Sequence, residues 1–150
     1  MILLQSDELD NHLQSIIHRD TQQHKSHFDL TVAEIHRFTK AGSLDFGGSE
    51  FEPAGKELLD PQKNDGDDYG WWHLAKGTYQ ATMNEQIKDT EDTIAVIAPH
   101  PHALEAGLIA NTQLPSDNGR QLLTMNFSVP QIGCNIKENA RIAELYLLAR

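Results

Sequence analysis

The sequence predicts an all-β fold, a distorted barrel or jelly-roll-like arrangement, with one short helix at the N-terminus. Three observations carry this. Short runs in which apolar and polar residues alternate recur along most of the chain, the signature of strands with one face against a core. Turn-forming clusters separate them, among them Asn64-Asp65-Gly66, Asp117-Asn118-Gly119 and Ile132-Gly133. Helical spacing of apolar residues occurs only near the start, so alternating βαβ units are excluded and a sandwich, barrel or jelly roll remains.

Taken in order, Leu9, Leu13, Ile16 and Ile17 follow the i, i+4, i+7 pattern of an amphipathic helix over Asp7 to about Ile17, with Ser6 or Asp7 as its N-cap. His18 to Ser26 is polar, without periodicity, and reads as a connection. From Phe28 the period becomes two: Phe28, Leu30 and Val32 alternate with Asp29, Thr31 and Ala33, predicting a half-buried strand. Ser43 to Tyr69 is rich in Gly, Pro and Asp and reads as a long loop, either a surface insertion or a flap whose Asp65, Asp67 and Asp68 help to hold a cation. Asn64-Asp65-Gly66-Asp67-Asp68 lacks the spacing of a helix-loop-helix calcium loop. Further strands are expected at Trp71–Leu74, Thr78–Met83, Thr93–Ala98, Gly107–Thr112, Gln121–Val129 and Arg141–Leu147.

Composition narrows the function classes. A chain of 150 residues, 39% hydrophobic, supports one core and one domain. The apolar runs, such as Ile94 to Ala98, are far shorter than the roughly 20 residues of a membrane-spanning helix, so no membrane partner is expected. Met1 to Leu13 has no basic segment and is not expected to be a signal peptide, and the single Cys134 fits a reducing, cytoplasmic compartment. A net charge of −10 argues against nucleic acid, whose binding draws on clustered Lys and Arg. A triphosphate remains compatible if a divalent cation such as Mg²⁺ offsets its charge.

Individual side chains leave alternatives open. His100 and His102 lie two apart, so on an extended strand both imidazoles share a face, and with Glu105 they can form part of a His₂-carboxylate site. Equally, Pro99 to His102 reads as a polar loop with exposed rings. His24 and His27 are weaker as ligands, because His24 precedes the strand. Trp71 and Trp72 are expected to alternate between core and surface, and Cys134 to be an inert apolar group. Arg120, after Asn118-Gly119, is either a phosphate contact or an exposed turn residue.

Four segments together resemble the dCTP deaminase/dUTPase superfamily. They are Ser26 to Val32, against a family motif S-x-D-L-x-L/V with one extra residue before Asp29; Tyr79 to Glu85, against L-A-x-T-x-E; Gly107-Leu108, against the end of R-S-S-L-A-R-L-G-L; and Asn139 to Leu145, against G-x-R-I-A-Q-L. The resemblance covers about two-thirds of the chain. It implies a homotrimer that binds dUTP or dCTP, with Mg²⁺ as cofactor and Asp29 as the metal-binding position. Where the family has its phosphate-binding serines and arginines, this chain has His100, His102 and Glu105. Asn126 takes the place of the glutamate that activates water in the deaminase, and a carboxamide is no general base. In the hairpin after Leu108, Asn111 or Asp117 stands in for the water-orienting aspartate of a dUTPase, with Gln113 and Arg120 as substrate contacts. Two functions are therefore expected in alternative: a nucleotide hydrolase or deaminase acting on dUTP or dCTP, or a member of the same fold that has lost catalysis.

Overall fold

The computed structural model describes residues 1–88, 92–115 and 122–150. Its main sheet has eight strands, and its organising element is β3 (Phe28–Lys40), thirteen residues long. The first part of β3 pairs antiparallel with β10 (Arg141–Ala149), from Phe28↔Leu145 to Thr31↔Arg141; the next part pairs with β6 (Gly77–Ile87), from Val32↔Met83 to Arg37↔Tyr79. Register shifts between Arg141 and Ala143, and between Val32 and Glu34, mark where the chain bends from one partner to the other. Strand β6 also carries β8 (Leu122–Val129) and the short β2 (Leu13–Gln14), while β10 carries β7 (Thr93–Pro99) and β1 (Ile2–Leu3). A separate two-stranded ribbon joins β5 (Trp71–Leu74) to β9 (Cys134–Lys137).

The core follows from the period of two. Leu123, Met125, Phe127 and Val129 of β8 point inward, as do Tyr79, Ala81, Met83 and Ile87 of β6, against Phe28, Leu30 and Val32 of β3 and Ile142, Leu145 and Leu147 of β10. Full burial of each large apolar side chain contributes roughly 1.5–3 kcal/mol. Trp72 is buried, its indole N–H donating to the Leu59 carbonyl, while Trp71 stays 39% exposed, so the pair alternates as expected.

Several expectations are corrected. The helix forecast over Asp7 to Ile17 is only α1 (Ser6–Asp10), with Gln5 at its N-cap; Leu13 then pairs with Ile87, Ser15 adopts φ 64°, and Ile17 is exposed. The free edge of β6 captures the chain before a second helical turn can form. The polar connection His18 to Ser26 contains a helical turn, α2 (Arg19–Gln22). Within the loop Ser43 to Tyr69 lies β4 (Gly55–Leu58), paired with the outer end of β3. Gly107 to Thr112 forms no regular strand, only an isolated bridge between Ile109 and Ser128. Most consequentially, the start of β3 is not half-buried: Asp29 and Thr31 are 1% and 4% exposed, because the polar side of the strand is covered as well.

Candidate functional site

What covers that side is a polar network that ties the N-terminal segment to the sheet. Gln22, on α2, is buried; its side-chain oxygen accepts from the amides of Ile17 and His18, and its nitrogen donates to the Asp29 carbonyl (2.9 Å) and to Glu85 Oε2 (2.8 Å). Glu85, fully buried on β6, also accepts from the amide and hydroxyl of Thr31. Asn84 donates to the Thr31 hydroxyl and to Asn139, a residue at φ 66° in the turn before β10. These bonds fix the sequence His24-Lys25-Ser26-His27 against Asp29. A bridge between Gln23 and Phe28 and a bond from the His24 amide to the His27 carbonyl (3.0 Å) close it as a tight turn.

Asp29 is the centre of the resulting cluster. Its Oδ2 lies 3.0 Å from His24 Nε2, 3.0 Å from Arg141 Nη1 and 3.5 Å from His100 Nε2; its Oδ1 lies 3.5 Å from His27 Nε2. His27 Nε2 is in turn 3.7 Å from Glu144 Oε2, which accepts a 2.6 Å hydrogen bond from the Tyr146 hydroxyl. The Glu144 bond, helped by burial, pushes the Tyr146 phenol up to about 12. Burial lowers the pKa of His100, outweighing the attraction of Asp29, so its ring is held neutral. His100 is the N-cap of α3 (Pro101–Glu105): its Nδ1 accepts from the His102 amide, which leaves Nε2 as the protonated nitrogen facing Asp29.

Beside this cluster, and sharing Arg141 and His102 with it, lies a cleft of about 310 Å³ lined also by Trp71, Asn135 and Lys137. Lys137 Nζ sits 5.8 Å from the Trp71 ring centre, and the cleft therefore offers two cations and an aromatic face. A larger depression of about 570 Å³ lies over β3, β6 and β8, lined by Glu34, His36, Lys56, Gln80 and Asn84 among others. Cys134, at the edge of the first cleft, has its thiol pKa raised by burial, in keeping with an inert side chain.

No family model matches the chain. Curated relatives do. The chain is 28% identical over 153 residues to a probable deoxyuridine 5'-triphosphate nucleotidohydrolase of Methanosarcina acetivorans, covering 97% of this chain and 86% of the relative. It is 30% identical over 139 residues to the protein of the same description from Methanosarcina barkeri, covering 89% of this chain and 75% of the relative. The chain belongs to the dCTP deaminase/dUTPase superfamily. The structure has the superfamily's fold independently of sequence: it is similar to the crystal structure of 2'-deoxycytidine 5'-triphosphate deaminase from Agrobacterium tumefaciens with a TM-score of 0.66 over 97% of this chain, at 11% identity. This chain spans 46% of that deaminase chain's length.

Within this superfamily member, the residues singled out from sequence separate into two groups. Asp29, His100 and His102 come together: the rings of His100 and His102 meet edge to face at 4.7 Å, and His100 approaches Asp29. They do so around a helix N-cap, not along an extended strand, so the shared-face geometry expected of His100 and His102 is replaced by a capping bond. Glu105, at the end of α3, is exposed. Gln113 and Asn126 form the second group: the Gln113 amide exchanges hydrogen bonds with the Asn126 backbone at 2.8 and 3.2 Å, while the Asn126 side chain accepts from Gln80 on the solvent face of β8. Among the described residues the two groups share no hydrogen bond. Asn111 is exposed, and Asp117 and Arg120 lie outside the described residues. The structure brings to Asp29 the two histidines rated as weaker ligands, His24 and His27, and adds Arg141, Glu144 and Tyr146, to which the sequence assigns no role. The available signal was the spacing of His24, His27 and Asp29 across the entry to a strand, which places three polar side chains next to one register position.

Mg²⁺ takes oxygen ligands in near-octahedral geometry. Among the described residues, both groups of potential ligands contain imidazole: His24, His27 and Asp29, and Asp29, His100 and Glu144. In the second, the carboxylate oxygens already receive Arg141 and the Tyr146 hydroxyl. Neither group fits Mg²⁺.

Proposed function

We propose that this protein is a deoxynucleoside triphosphate hydrolase that converts dUTP to dUMP and pyrophosphate. The observation that carries the reading is similarity along 97% of the chain to a probable deoxyuridine 5'-triphosphate nucleotidohydrolase. In the reaction a water oxygen bonds to the α-phosphorus as the water gives up a proton to solvent, the bond from that phosphorus to the α–β bridging oxygen breaks, and pyrophosphate leaves with the bridging oxygen. The electrostatic requirement is cations near the phosphates, and Lys137 and Arg141 at the small cleft supply that type of group. His102 at the same rim offers a hydrogen bond to the nucleotide. In this reading Asn111 or Asp117 orients the water, Arg120 contacts phosphate, and Gln113, His100 and Glu105 are further candidate substrate contacts. Asp29, through its pair with Arg141, sets the position of the guanidinium. Any Mg²⁺ would be carried by the triphosphate, where it would offset phosphate charge. The carboxamide at Asn126 favours hydrolysis over deamination, which requires a general base at that place. Assembly as a homotrimer, and a cytoplasmic location, belong to the same proposal.

The test is incubation of purified protein with dUTP or dCTP and Mg²⁺, following pyrophosphate and ammonia. Pyrophosphate and dUMP from dUTP are expected. Ammonia from dCTP without pyrophosphate overturns the assignment in favour of deamination, and a nucleotide-induced thermal shift without turnover overturns it in favour of a binding protein.

A further inference from the structure

We propose that His24, His27 and Asp29 form a binding site for one transition-metal dication of the Zn²⁺ class, separate from any Mg²⁺ that accompanies a nucleotide. The ligating atoms of the three residues all lie within 4.8 Å of one another. The two imidazole rings are stacked, with centroids 4.5 Å apart and planes 16° from parallel, so both Nε2 atoms face the same carboxylate.

A second observation points independently to a cation. Asp29 is 1% exposed, yet its Oδ1 is buried without a hydrogen-bond partner, a costly state for a carboxylate oxygen in a folded protein. The other oxygen, Oδ2, is engaged by Arg141 Nη1 and by His24 Nε2, both at 3.0 Å. Metal-binding carboxylates commonly have one oxygen held by an outer partner that orients the group, the place Arg141 takes here, while the other is left to face the ion. The turn is held as well: Gln22 anchors α2 to Glu85 and to the Asp29 carbonyl, and the His24–His27 backbone bond closes the loop. The ligands are thereby gathered before the ion arrives.

The donor set selects the metal. Two imidazole nitrogens and one carboxylate oxygen suit Zn²⁺ or Co²⁺. His100 is excluded from the set although it too approaches Asp29, because its Nδ1 accepts the His102 amide and its Nε2 carries the hydrogen. Ions can enter from solvent, since the side chains of His24 and His27 are 41% and 25% exposed. Glu144 Oε2, 3.7 Å from His27 Nε2, stands next to the site and adds a second negative charge that offsets part of the positive charge of the dication and Arg141.

The experiment is titration of chelator-treated protein with Zn²⁺ alone by calorimetry, with Mg²⁺ in parallel and no nucleotide present. One equivalent of Zn²⁺ per chain is expected, with a raised Tm, and no comparable response to Mg²⁺. Replacing a direct ligand by His24→Ala or His27→Ala should weaken Zn²⁺ by more than the about 10–100-fold that outer-shell changes typically cost. His73→Ala, an exposed histidine on β5, should leave it unchanged. Ring-proton NMR on the unmodified protein gives a readout independent of folding of the variants: the signals of His24 and His27 should move together with saturating Zn²⁺. Absence of saturable binding, an affinity in either variant unchanged from that of the unmodified protein, or shifts confined to other histidines overturns the proposal.

Discussion

Glu85→Gln is the substitution whose cost is most directly fixed by geometry. Glu85 Oε1 accepts the Thr31 amide at 2.8 Å, and Oε2 accepts the Thr31 hydroxyl at 2.5 Å and Gln22 Nε2 at 2.8 Å. A carboxamide keeps one oxygen. If that oxygen serves the Thr31 amide, the new NH₂ group faces the Gln22 NH₂ group, donor against donor, inside a region where Glu85 is 0% and Gln22 2% exposed. The Thr31 hydroxyl can turn to accept, but it already accepts from Asn84 at 3.0 Å. Losing one buried bond and leaving one donor unsatisfied costs about 3 kcal/mol, a large part of the roughly 5–15 kcal/mol that holds such a fold together. For a chain of this size that corresponds to a Tm lower by on the order of 10 °C. Urea unfolding followed by fluorescence of Trp71 and Trp72 measures the loss. Glu57→Gln, on an exposed stretch of β4, should change stability by less than about 0.5 kcal/mol. In a Gln22→Ala background the opposing donor is gone, so Glu85→Gln should cost at least about 1 kcal/mol less there. A Tm within about 2 °C of the wild type, or fully additive double-variant energies, would refute the account of Glu85 as an obligatory acceptor.

The remaining predictions concern titration and backbone strain. The Tyr146 phenol, held up to about 12 by Glu144, favours its protonated form in the folded state; its stabilising contribution is complete below the unfolded value of about 10 and is lost as pH rises through about 12. Absorbance titration of tyrosinate should show a high-pH component that Tyr146→Phe lacks, and superimposable curves would disprove the bond. Because burial raises the Cys134 thiol, disulfide reagents should attack it more slowly at pH 8 than an unstructured cysteine peptide, and the difference should vanish in urea. Gly133→Ala places a Cβ 2.8 Å from the Leu74 carbonyl oxygen at φ 79°, whereas Gly66→Ala meets open space at φ 87°. The first should therefore lower the urea midpoint clearly more than the second, whose cost is the left-handed conformation alone, roughly 1–2 kcal/mol.

By itself the sequence determined the class of fold and most of its strands. Alternation is local information, and the runs at Trp71–Leu74, Thr93–Ala98 and Arg141–Leu147 became β5, β7 and β10 with little change of boundary. It also carried the resemblance, since segments such as Asn139 to Leu145 keep their spacing along the chain. Tertiary structure decided the rest. The helical pattern from Asp7 to Ile17 yielded to the open edge of β6, because paired backbone groups and a buried Leu13 outweigh the small helical propensity of a few residues. The loop from Ser43 to Tyr69 acquired β4 only because the end of β3 was there to pair with it. Asp29 read as the outward residue of a half-buried strand, and nothing local signals that His100, Arg141 and Glu144 join the neighbouring His24 and His27 around it from two distant parts of the chain. Strand periodicity is written in neighbours a residue or two apart, but the burial of a polar face depends on which remote segments cover it.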